Sequence, residues 1–344
     1  MNTAISGNIG ARLTGSASRS KAPVFVLGCP RSGTTVLYHM LLSAGGFAVY
    51  RAESNVFNLL APKFGNLNSS RNRARLLEFW SRSKLFRVSG LDAEEISAKI
   101  DAECRSAGDF LRITMRETAR KQGVDRWADC TPDHLLYIHE IKRQIPDALI
   151  IHAIRDGRDV ALSFAQQGWS HPWWWDRKHK IPVAALYWAW IVRQGREAGR
   201  TLGHDYIEVR FEDLVGKPTE ALGRMGEFID QDLDYERIRH VAIGSVKTPN
   251  TSFTSAIGSG EFNPVGRWKD RLSGAGLSTV ESLIGDLLLE LGYPLAGNGS
   301  RNNLQSLRLR SVYPQLFSLK LWLKNHTPLG RTANTNVMEI DEHL

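Results

Sequence analysis

The stretch PVFVLGCPRSGTT, residues 23–35, predicts the fold of this chain. Its first six residues form an apolar, β-rich run bounded by Pro and Gly, which indicates a buried strand. From Thr34 onward apolar residues recur at helical spacing, and Gly45 and Gly46 predict the end of that helix. The stretch therefore predicts a strand, a glycine-containing loop and a helix, in that order.

Two later segments extend this pattern. Residues 148–154 (ALIIHAI) predict a second strand, followed by a helix that we expect Asp159 to cap, and residues 206–211 (YIEVRF) predict a third strand. Strands that alternate with helices are typical of a parallel sheet. We therefore expect an α/β protein with a P-loop-like, three-layer fold, in which helices flank a central parallel sheet. The intervening helices are predicted at 71–86, 93–122 and 133–143.

Composition excludes several classes of protein. The chain has 344 residues, with 42% hydrophobic and 23% charged residues, which is ordinary globular usage and argues against disorder or a fibre. Its formal net charge of +8 suits nucleic acid, an anionic membrane surface or anionic small molecules, and charge alone does not choose among them. Cys29, Cys104 and Cys130 are far apart and form no C-x-x-C pair, so neither a disulfide scaffold nor a zinc ribbon is indicated. The apolar run 183–192 is too short to span a membrane. We expect a cytoplasmic protein.

The loop at 28–35 predicts an anion site, because glycines let the backbone curl around an oxyanion that faces the first N–H groups of a helix. Its spacing is similar to a Walker A loop, but Thr34 stands where that motif has lysine. The loop's one cation is Arg31, ahead of Gly33. An ordinary ATPase or kinase loop is therefore disfavoured.

A second anion site is predicted after the second strand. Arg155 follows that strand, where a magnesium-dependent nucleotidase would carry an acid, and Ser163 comes eight residues later. A forked guanidinium and a hydroxyl suit a phosphate. The alternatives are an ion pair of Arg155 with Asp156 or Asp159, and a surface position for Ser163. The sequence thus offers two anion sites and no metal cradle.

Five segments resemble motifs of the sulfotransferases that use 3′-phosphoadenosine 5′-phosphosulfate (PAPS), in the order of that family. The loop is closest to the R-S-G-T-T loop of the bacterial, tyrosylprotein and Golgi-type branches. The five segments are 30–35 (PRSGTT), similar to the 5′-phosphosulfate loop; Arg155 with Ser163, similar to the 3′-phosphate motif; 127–132 (WADCTP), similar to W-x-[ED]-K-T-P; 209–214 (VRFEDL), similar to R-[YF]-E-D-L; and 266–269 (GRWK), similar to the late loop that closes over the nucleotide.

The resemblance implies transfer of a sulfuryl group from PAPS to a hydroxyl or amine of an acceptor, by in-line displacement and without a metal. The acceptor, a small molecule, glycan, lipid or peptide, is left open, and no nucleic acid partner is expected. The resemblance also implies residue roles. Arg31 would neutralise charge that develops on the sulfuryl group, Ser32, Gly33, Thr34 and Thr35 would hold the 5′-phosphate, Arg155, Ser163 and Arg267 would clamp the 3′-phosphate, and Trp268 would pack beside the adenine.

Glu53 is the general base that the resemblance implies, since a glutamate stands at the corresponding place in this branch. An ion pair with Arg51 or capping of the following helix is the alternative for Glu53. Cys130 departs from the family, which has lysine in the T-P motif. Arg31 alone, Arg51 or Lys269 would then have to supply that charge.

We expect three parts in the chain: a flexible tail at 1–22, a sulfotransferase domain at 23–294 and an extension at 295–344. The extension contains a basic amphipathic piece at 316–324, which either docks on the protein or contacts a membrane. Residues 169–190 hold six of the ten tryptophans and form either a lid or acceptor cleft, or a helix core preceded by a distinct Trp triple. An ATP-dependent phosphotransferase and a non-catalytic polyanion-binding protein are the alternative functions.

Overall fold

A parallel four-stranded sheet lies at the centre of the protein, with the strand order β2-β1-β3-β4. The computed structural model describes residues 19–170, 172–248, 263–297 and 304–332. Three of the strands match the predicted runs, and the unpredicted β2 has only two residues. The strands are β1 (Val24–Gly28), β2 (Ala128–Asp129), β3 (Leu149–Ile154) and β4 (Tyr206–Arg210).

Helices follow each strand and cover both faces of the sheet. They are α1 (Thr34–Ala44), α2 (Ala61–Phe64), α3 (Ser70–Ser81), α4 (Lys84–Ser89), α5 (Ala93–Glu103), α6 (Ala107–Lys121), α7 (Ile138–Gln144), α8 (Gly157–Gln166), α9 (Lys180–Arg200), α10 (Phe211–Gly216), α11 (Pro218–Ile229), α12 (Tyr235–Val241), α13 (Trp268–Arg271), α14 (Gly274–Glu290) and α15 (Leu304–His326).

Two apolar cores lie on opposite faces of the sheet. In β1, Phe25 and Leu27 belong to the core with α6, α9 and α14, whereas Val24 and Val26 belong to the core with α1 and α11. This alternation follows from the period of two along a strand, and both sets are fully buried because helices cover both faces. The predicted three-layer α/β fold is confirmed.

Two of the predicted helices are each two helices in the structure. The run at 71–86 breaks before α4, where the hydroxyl of Ser83 accepts a hydrogen bond from the N–H of Phe86. The run at 93–122 breaks before α6, where Ser106 caps in the same way by accepting from the N–H of Asp109. Serine favours caps over helix interiors because its hydroxyl competes for backbone N–H groups.

The tryptophan-rich segment divides as one of the two interpretations predicts. Trp188 and Trp190 are buried within α9, whereas Trp173, Trp174 and Trp175 are exposed ahead of that helix. The C-terminal helix α15 packs on α9 and α14 through Leu309 and other apolar side chains. No helix among the residues described is both long enough and apolar enough to cross a membrane. Of the predicted tail at 1–22, residues 1–18 lie outside the described ranges.

Candidate active site

The predicted site residues meet at one edge of the sheet. Because all strands are parallel, their carboxyl ends lie on the same side, and the register pairs Gly28 with Ala153 and Ile154 with Arg210. The loop after β1, Arg155 after β3 and the R-F-E-D-L segment after β4 are therefore neighbours. This edge is where ligands bind in open α/β sheets.

The loop between β1 and α1 makes a tight backbone curl. Arg31 and Gly33 have φ values of 73° and 87°, in the left-handed region that favours glycine. A Cβ at Gly33 would lie 2.2 Å from a ring carbon of Phe211, so the loop requires glycine there. Ser32 is fully buried, and its Oγ has no hydrogen-bond partner among the residues described.

Arg31, Ser163 and Arg155 are in contact around this loop. The Nε of Arg31 donates to the Oγ of Ser163 at 2.9 Å. The Nη1 of Arg155 donates to the carbonyl oxygen of Arg31 at 3.1 Å, and its Nη2 donates to that of Pro264 at 2.5 Å. Arg155 thus ties the first loop to the late loop. The alternative ion pair of Arg155 with Asp159 is long, at 3.7 Å.

Positive charge is crowded at this point. Burial, and then the charge of Arg155, lower the pKa of the Arg31 guanidinium. The same two causes, burial first, lower the pKa of Arg267 on the late loop. The Nε of Arg155 is buried without a hydrogen-bond partner in the described part of the chain. A bound anion would relieve the repulsion among these three guanidinium groups.

Asp159 holds the late loop in place. Its carboxylate accepts hydrogen bonds from the N–H of Gly266 at 2.8 Å and the N–H of Trp268 at 2.9 Å. The expectation that Asp159 caps α8 is wrong, because Asp156 is the capping residue and accepts from the N–H of Arg158. No local pattern in the sequence indicates this anchor, because it joins segments more than 100 residues apart.

Trp268 is buried in the wall of the site. The guanidinium of Arg158 lies 3.7 Å from the centre of the Trp268 ring. Arg158 also pairs with Asp156 and Glu281, at 2.8 and 2.6 Å, which fixes the cation against the ring. One face of Trp268 is therefore occupied by Arg158, and the contact with adenine stays a prediction.

The R-F-E-D-L segment, within residues 209–214, packs against the loop between β1 and α1. Phe211 packs against Gly33, and the guanidinium of Arg155 lies 4.8 Å from the centre of its ring. Glu212 accepts a hydrogen bond from the N–H of Asp156 at 2.9 Å and another from the Tyr293 hydroxyl at 2.7 Å. This segment links the ends of β3 and β4 to the chain that follows α14.

A cleft of about 580 Å³ opens beside the loop. This volume lies in the range of sites for small molecules. Glu53 lines this cleft together with Thr35 of the loop and with Cys130, which stands where the family motif has lysine. Its walls are formed by Thr35, Tyr38, His39, Arg51, Ala52, Glu53, Cys130, Gly244, Ser245, Lys247 and Thr248.

Glu53 is exposed to solvent at the cleft, and its carboxyl group is partly enclosed by the surrounding protein. This enclosure, with the nearby carboxyl groups of Asp133 and Asp129, raises the pKa of Glu53 to about 7 from its usual 4.5, while Lys84 acts in the opposite direction. A carboxyl group with a pKa near neutrality can gain and lose a proton under ordinary conditions. Perturbed groups in a cleft are candidates for catalysis.

A buried hydrogen-bond network holds the segment that follows Glu53. The Nδ1 of His134 lies 2.9 Å from Asp129, and its Nε2 accepts from the N–H of Phe57 at 3.1 Å, so Nδ1 carries the proton. Thr131 donates to Asp129 at 3.2 Å and accepts from the N–H of Asn55 at 3.3 Å. The W-A-D-C-T-P motif thereby positions the backbone next to Glu53.

Cys130 lies between the loop and the cleft. Its thiol is within hydrogen-bond reach of the Thr34 side chain, and burial raises its pKa well above the usual value, which keeps the thiol protonated at neutral pH. Of the two cations considered as substitutes for the family lysine, Arg51 lines the same cleft as Cys130. Lys269 lies on α13, with its Nζ 5.9 Å from the Trp268 ring centre.

Known proteins similar to this chain include one relative and several solved structures. A protein of Aquifex aeolicus (strain VF5), described as uncharacterized, is 28% identical over 251 residues, which cover 69% of this chain and 30% of that protein. The chain therefore spans less than a third of that relative's length. The sulfotransferase domain of the Synechococcus PCC 7002 olefin synthase is 18% identical, with a TM-score of 0.49 over 86% of this chain and 94% of that one. A sulfotransferase domain from the curacin biosynthetic pathway is 16% identical, with a TM-score of 0.48 over 86% and 96%.

The family assignment comes from a match to a family model. The model described as "Sulfotransferase family" matches residues 23–235, more than half of the chain. The matched region contains the loop after β1, Glu53, the W-A-D-C-T-P motif, Arg155 and Ser163. This chain belongs to the sulfotransferase family.

Proposed function

We propose that this protein transfers a sulfuryl group from PAPS to a hydroxyl group of an acceptor that binds in the cleft beside Glu53. The observation that carries the proposal is the common position of Thr35 and Glu53 on one cleft. The anion loop and a carboxyl group with a pKa of about 7 thus face the same space. A donor on the loop and an acceptor in the cleft would meet between them.

The residues around the loop fit a nucleotide that carries two phosphate groups. The buried Oγ of Ser32 and Nε of Arg155 have hydrogen-bonding capacity that no described residue uses. Gly33 lets the Phe211 ring pack directly against the loop, which holds the loop's backbone N–H groups at the N-terminus of α1, where a phosphate group would bind. We assign Ser32, Gly33, Thr34 and Thr35 to the 5′-phosphate, and Arg155, Ser163 and Arg267 to the 3′-phosphate.

When bound, PAPS would supply the sulfuryl group: the acceptor oxygen attacks the sulfur in line, the bond from sulfur to the bridging oxygen of the 5′-phosphate breaks, and 3′-phosphoadenosine 5′-phosphate leaves. Glu53 takes the proton from the acceptor hydroxyl as that oxygen attacks, which requires the ionised carboxylate. Arg31 lies at the loop and stabilises the negative charge that develops on the sulfuryl oxygens. A sulfuryl group carries less charge than a phosphoryl group, so we propose that the reaction proceeds without an added divalent ion.

The test is calorimetric titration with 3′-phosphoadenosine 5′-phosphate, ADP and AMP, each with EDTA present. We expect binding of the 3′-phosphorylated nucleotide alone. Arg155→Ala should weaken this binding at least tenfold, because a bond to an ionised group is lost. Since Arg155 also ties two loops together, Arg267→Ala, on the late loop, is the second variant and should weaken binding in the same direction.

Arg224→Ala provides the matched control, because Arg224 is an exposed arginine on α11 whose nearest carboxylate is 3.9 Å away. Its affinity should equal that of the parent. Equal binding of ADP and the 3′-phosphorylated nucleotide, or a magnesium requirement, would contradict the proposal and favour an ATP-dependent phosphotransferase. Salt-sensitive binding of polyanions without any nucleotide preference would favour the non-catalytic alternative.

A further inference from the structure

One face of the protein combines exposed tryptophan and leucine side chains with positive charge. It consists of residues 169–180, of which position 171 lies outside the described ranges, and of residues 304–332; we name it the tryptophan face. We propose that the tryptophan face docks on a membrane surface that contains anionic lipids. This inference does not depend on the proposed sulfuryl transfer.

The exposed tryptophans are the first observation. Trp174 is 71% exposed and Trp322 is 53% exposed. Trp173 and Trp175 stack on each other with ring centres 4.9 Å apart, and both remain almost half exposed. Large contiguous apolar patches are rare on soluble monomers. Tryptophan is also the side chain that membrane interfaces favour, because its ring is apolar and its N–H stays hydrated.

Helix α15 has two different sides. Leu309 and Tyr313 are buried, and Phe317 on the same side packs against Tyr187 and Trp190 of α9. The opposite side presents apolar residues to solvent at successive spacings of 3, 12 and 3 residues, which place them on one stripe of a helix with about 3.6 residues per turn. These exposed residues are Leu304, Leu307, Leu319 and Trp322.

The two segments of the face are joined to each other. Arg308 of α15 pairs with Asp176. The hydroxyl of Tyr313 donates to the same carboxylate at 3.0 Å and accepts from the N–H of Trp173 at 3.2 Å. The segment that carries the Trp triple is therefore fixed to α15 at Arg308 and Tyr313.

Charge identifies the partner. The two segments together carry eight Lys and Arg residues and one acid, an excess of seven, and two of these cations are held in ion pairs, Arg308 with Asp176 and Arg310 with Asp286 of α14. The one acid, Asp176, is buried and paired. Among the described residues, the exposed cations Arg177, Lys178, Lys180 and Lys320 have no ion-pair partner. Positive charge beside exposed apolar side chains matches an anionic bilayer.

Exposed leucines distinguish a bilayer from a nucleic acid. Bases stack on tryptophan and phosphates attract cations, but Leu304, which is 83% exposed, gains nothing from either contact. In a bilayer the same side chain leaves water for the region between the headgroups and the acyl chains. The observations therefore favour the lipid surface.

Flotation of the full chain with lipid vesicles tests the proposal. We expect binding to vesicles of phosphatidylcholine mixed with phosphatidylglycerol, weaker binding at high salt, and little binding to phosphatidylcholine alone. Replacing Arg177, Lys178 and Lys180 by Gln should lower the partition coefficient by on the order of a hundredfold, since each cation near an anionic surface contributes about fivefold. Trp174→Ser with Trp322→Ser should lower it by roughly tenfold or more.

The control is Val241→Ser, because Val241 is also about half exposed but lies on α12. Its binding should match the parent, and all variants should keep the parent's melting temperature, as the altered side chains are exposed. Equal binding to neutral and anionic vesicles, or no binding to either, would overturn the proposal. Light scattering that shows a dimer for the parent and a monomer for the tryptophan variants would also overturn it. So would binding of an oligonucleotide that prevents the protein from binding to vesicles.

Discussion

At the scale of single residues, Glu53 combines access to the cleft with a pKa near neutrality. Glu53→Gln keeps the size of the side chain and removes the base, so we expect turnover to fall by roughly a hundredfold or more. Affinity for 3′-phosphoadenosine 5′-phosphate should stay within about twofold of the parent, because a general base makes no contact with the phosphates. The measurements are turnover with an acceptor found by screening hydroxyl compounds, and calorimetric titration of the nucleotide.

The pH dependence gives a second readout for Glu53. Because the carboxyl must be ionised to accept a proton, the rate of the parent should rise with pH through about 7, the raised pKa of Glu53. The Glu53→Gln variant should lack this rise. A large loss of nucleotide binding in the variant, or an unchanged pH profile, would assign Glu53 a structural role instead.

Cys130 raises the question of which cation replaces the family lysine. Arg51 shares the cleft with Cys130 and Thr35, whereas Lys269 lies on α13 beside Trp268. We expect Arg51→Ala to lower turnover by roughly tenfold or more, through loss of charge stabilisation near the leaving group. Lys269→Ala is the matched control and should leave turnover nearly unchanged. The reverse order of effects would transfer the role to Lys269.

At the scale of elements, the sequence predicts structure that local residues determine, and it does not predict structure that depends on partners far away in the chain. The strands β1, β3 and β4 could be predicted because each is an apolar run set off by local turn residues. The short β2 could not, since its two residues are extended through pairing with β1 and carry no periodicity of their own. The breaks at Ser83 and Ser106 could be missed for a related reason: a serine next to apolar residues is compatible with either a helix interior or a cap.

The candidate site shows the same division. The loop at 28–35, Arg155 and Ser163 could be assigned from motifs and are in contact in the structure. Asp159 could not, because its partners are the backbone N–H groups of Gly266 and Trp268, and such partners leave no side-chain signature. Contacts of this kind can be assigned only from the three-dimensional structure.

Asp159 gives a prediction at the level of the late loop. Asp159→Ala removes the acceptor of two backbone N–H groups, so the loop that carries Arg267 should become less well held. We expect affinity for 3′-phosphoadenosine 5′-phosphate to fall by about tenfold, and the free energy of unfolding to fall by about 1–3 kcal/mol. Calorimetry and urea unfolding measure these two effects.

Asp232→Ala is the control for Asp159, because the side chain of Asp232 is 78% exposed and pairs only with Arg237 among the residues described. It should change neither quantity measurably. Normal nucleotide affinity in Asp159→Ala would show that the late loop does not need this anchor.

At the scale of the whole molecule, His152 and Glu53 act on stability with opposite signs. Burial lowers the pKa of His152 from 6.5 to about 3, and its Nδ1 lies 2.6 Å from the Tyr206 hydroxyl. Between these two pKa values the unfolded chain binds a proton at this position that the folded chain does not. The free energy of unfolding therefore rises with pH there, by about 1.4 kcal/mol per pH unit. This stability is lost as the pH falls from 6.5.

Glu53 has the opposite effect, because its pKa is raised in the folded chain. Between 4.5 and about 7 the folded chain binds the extra proton, so the free energy of unfolding falls as the pH rises. Because Glu53 is exposed, solvent screening limits its pKa shift and so the pH window over which it opposes the histidine. From pH 4.5 to 6.5 the two contributions oppose each other, and the parent shows only their difference.

Single variants separate the two contributions. In urea unfolding across this pH window, His152→Gln should make the slope of unfolding free energy against pH less positive than in the parent, by up to about 1.4 kcal/mol per unit. Glu53→Gln should make the slope more positive, since it removes the group that favours low pH.

His240→Gln, which replaces an exposed histidine on α12, controls for the loss of a histidine as such. Because a buried substitution such as His152→Gln also lowers stability at every pH, the slope rather than the absolute value is the decisive quantity. Parent-like slopes in both variants would mean that neither group titrates differently on folding.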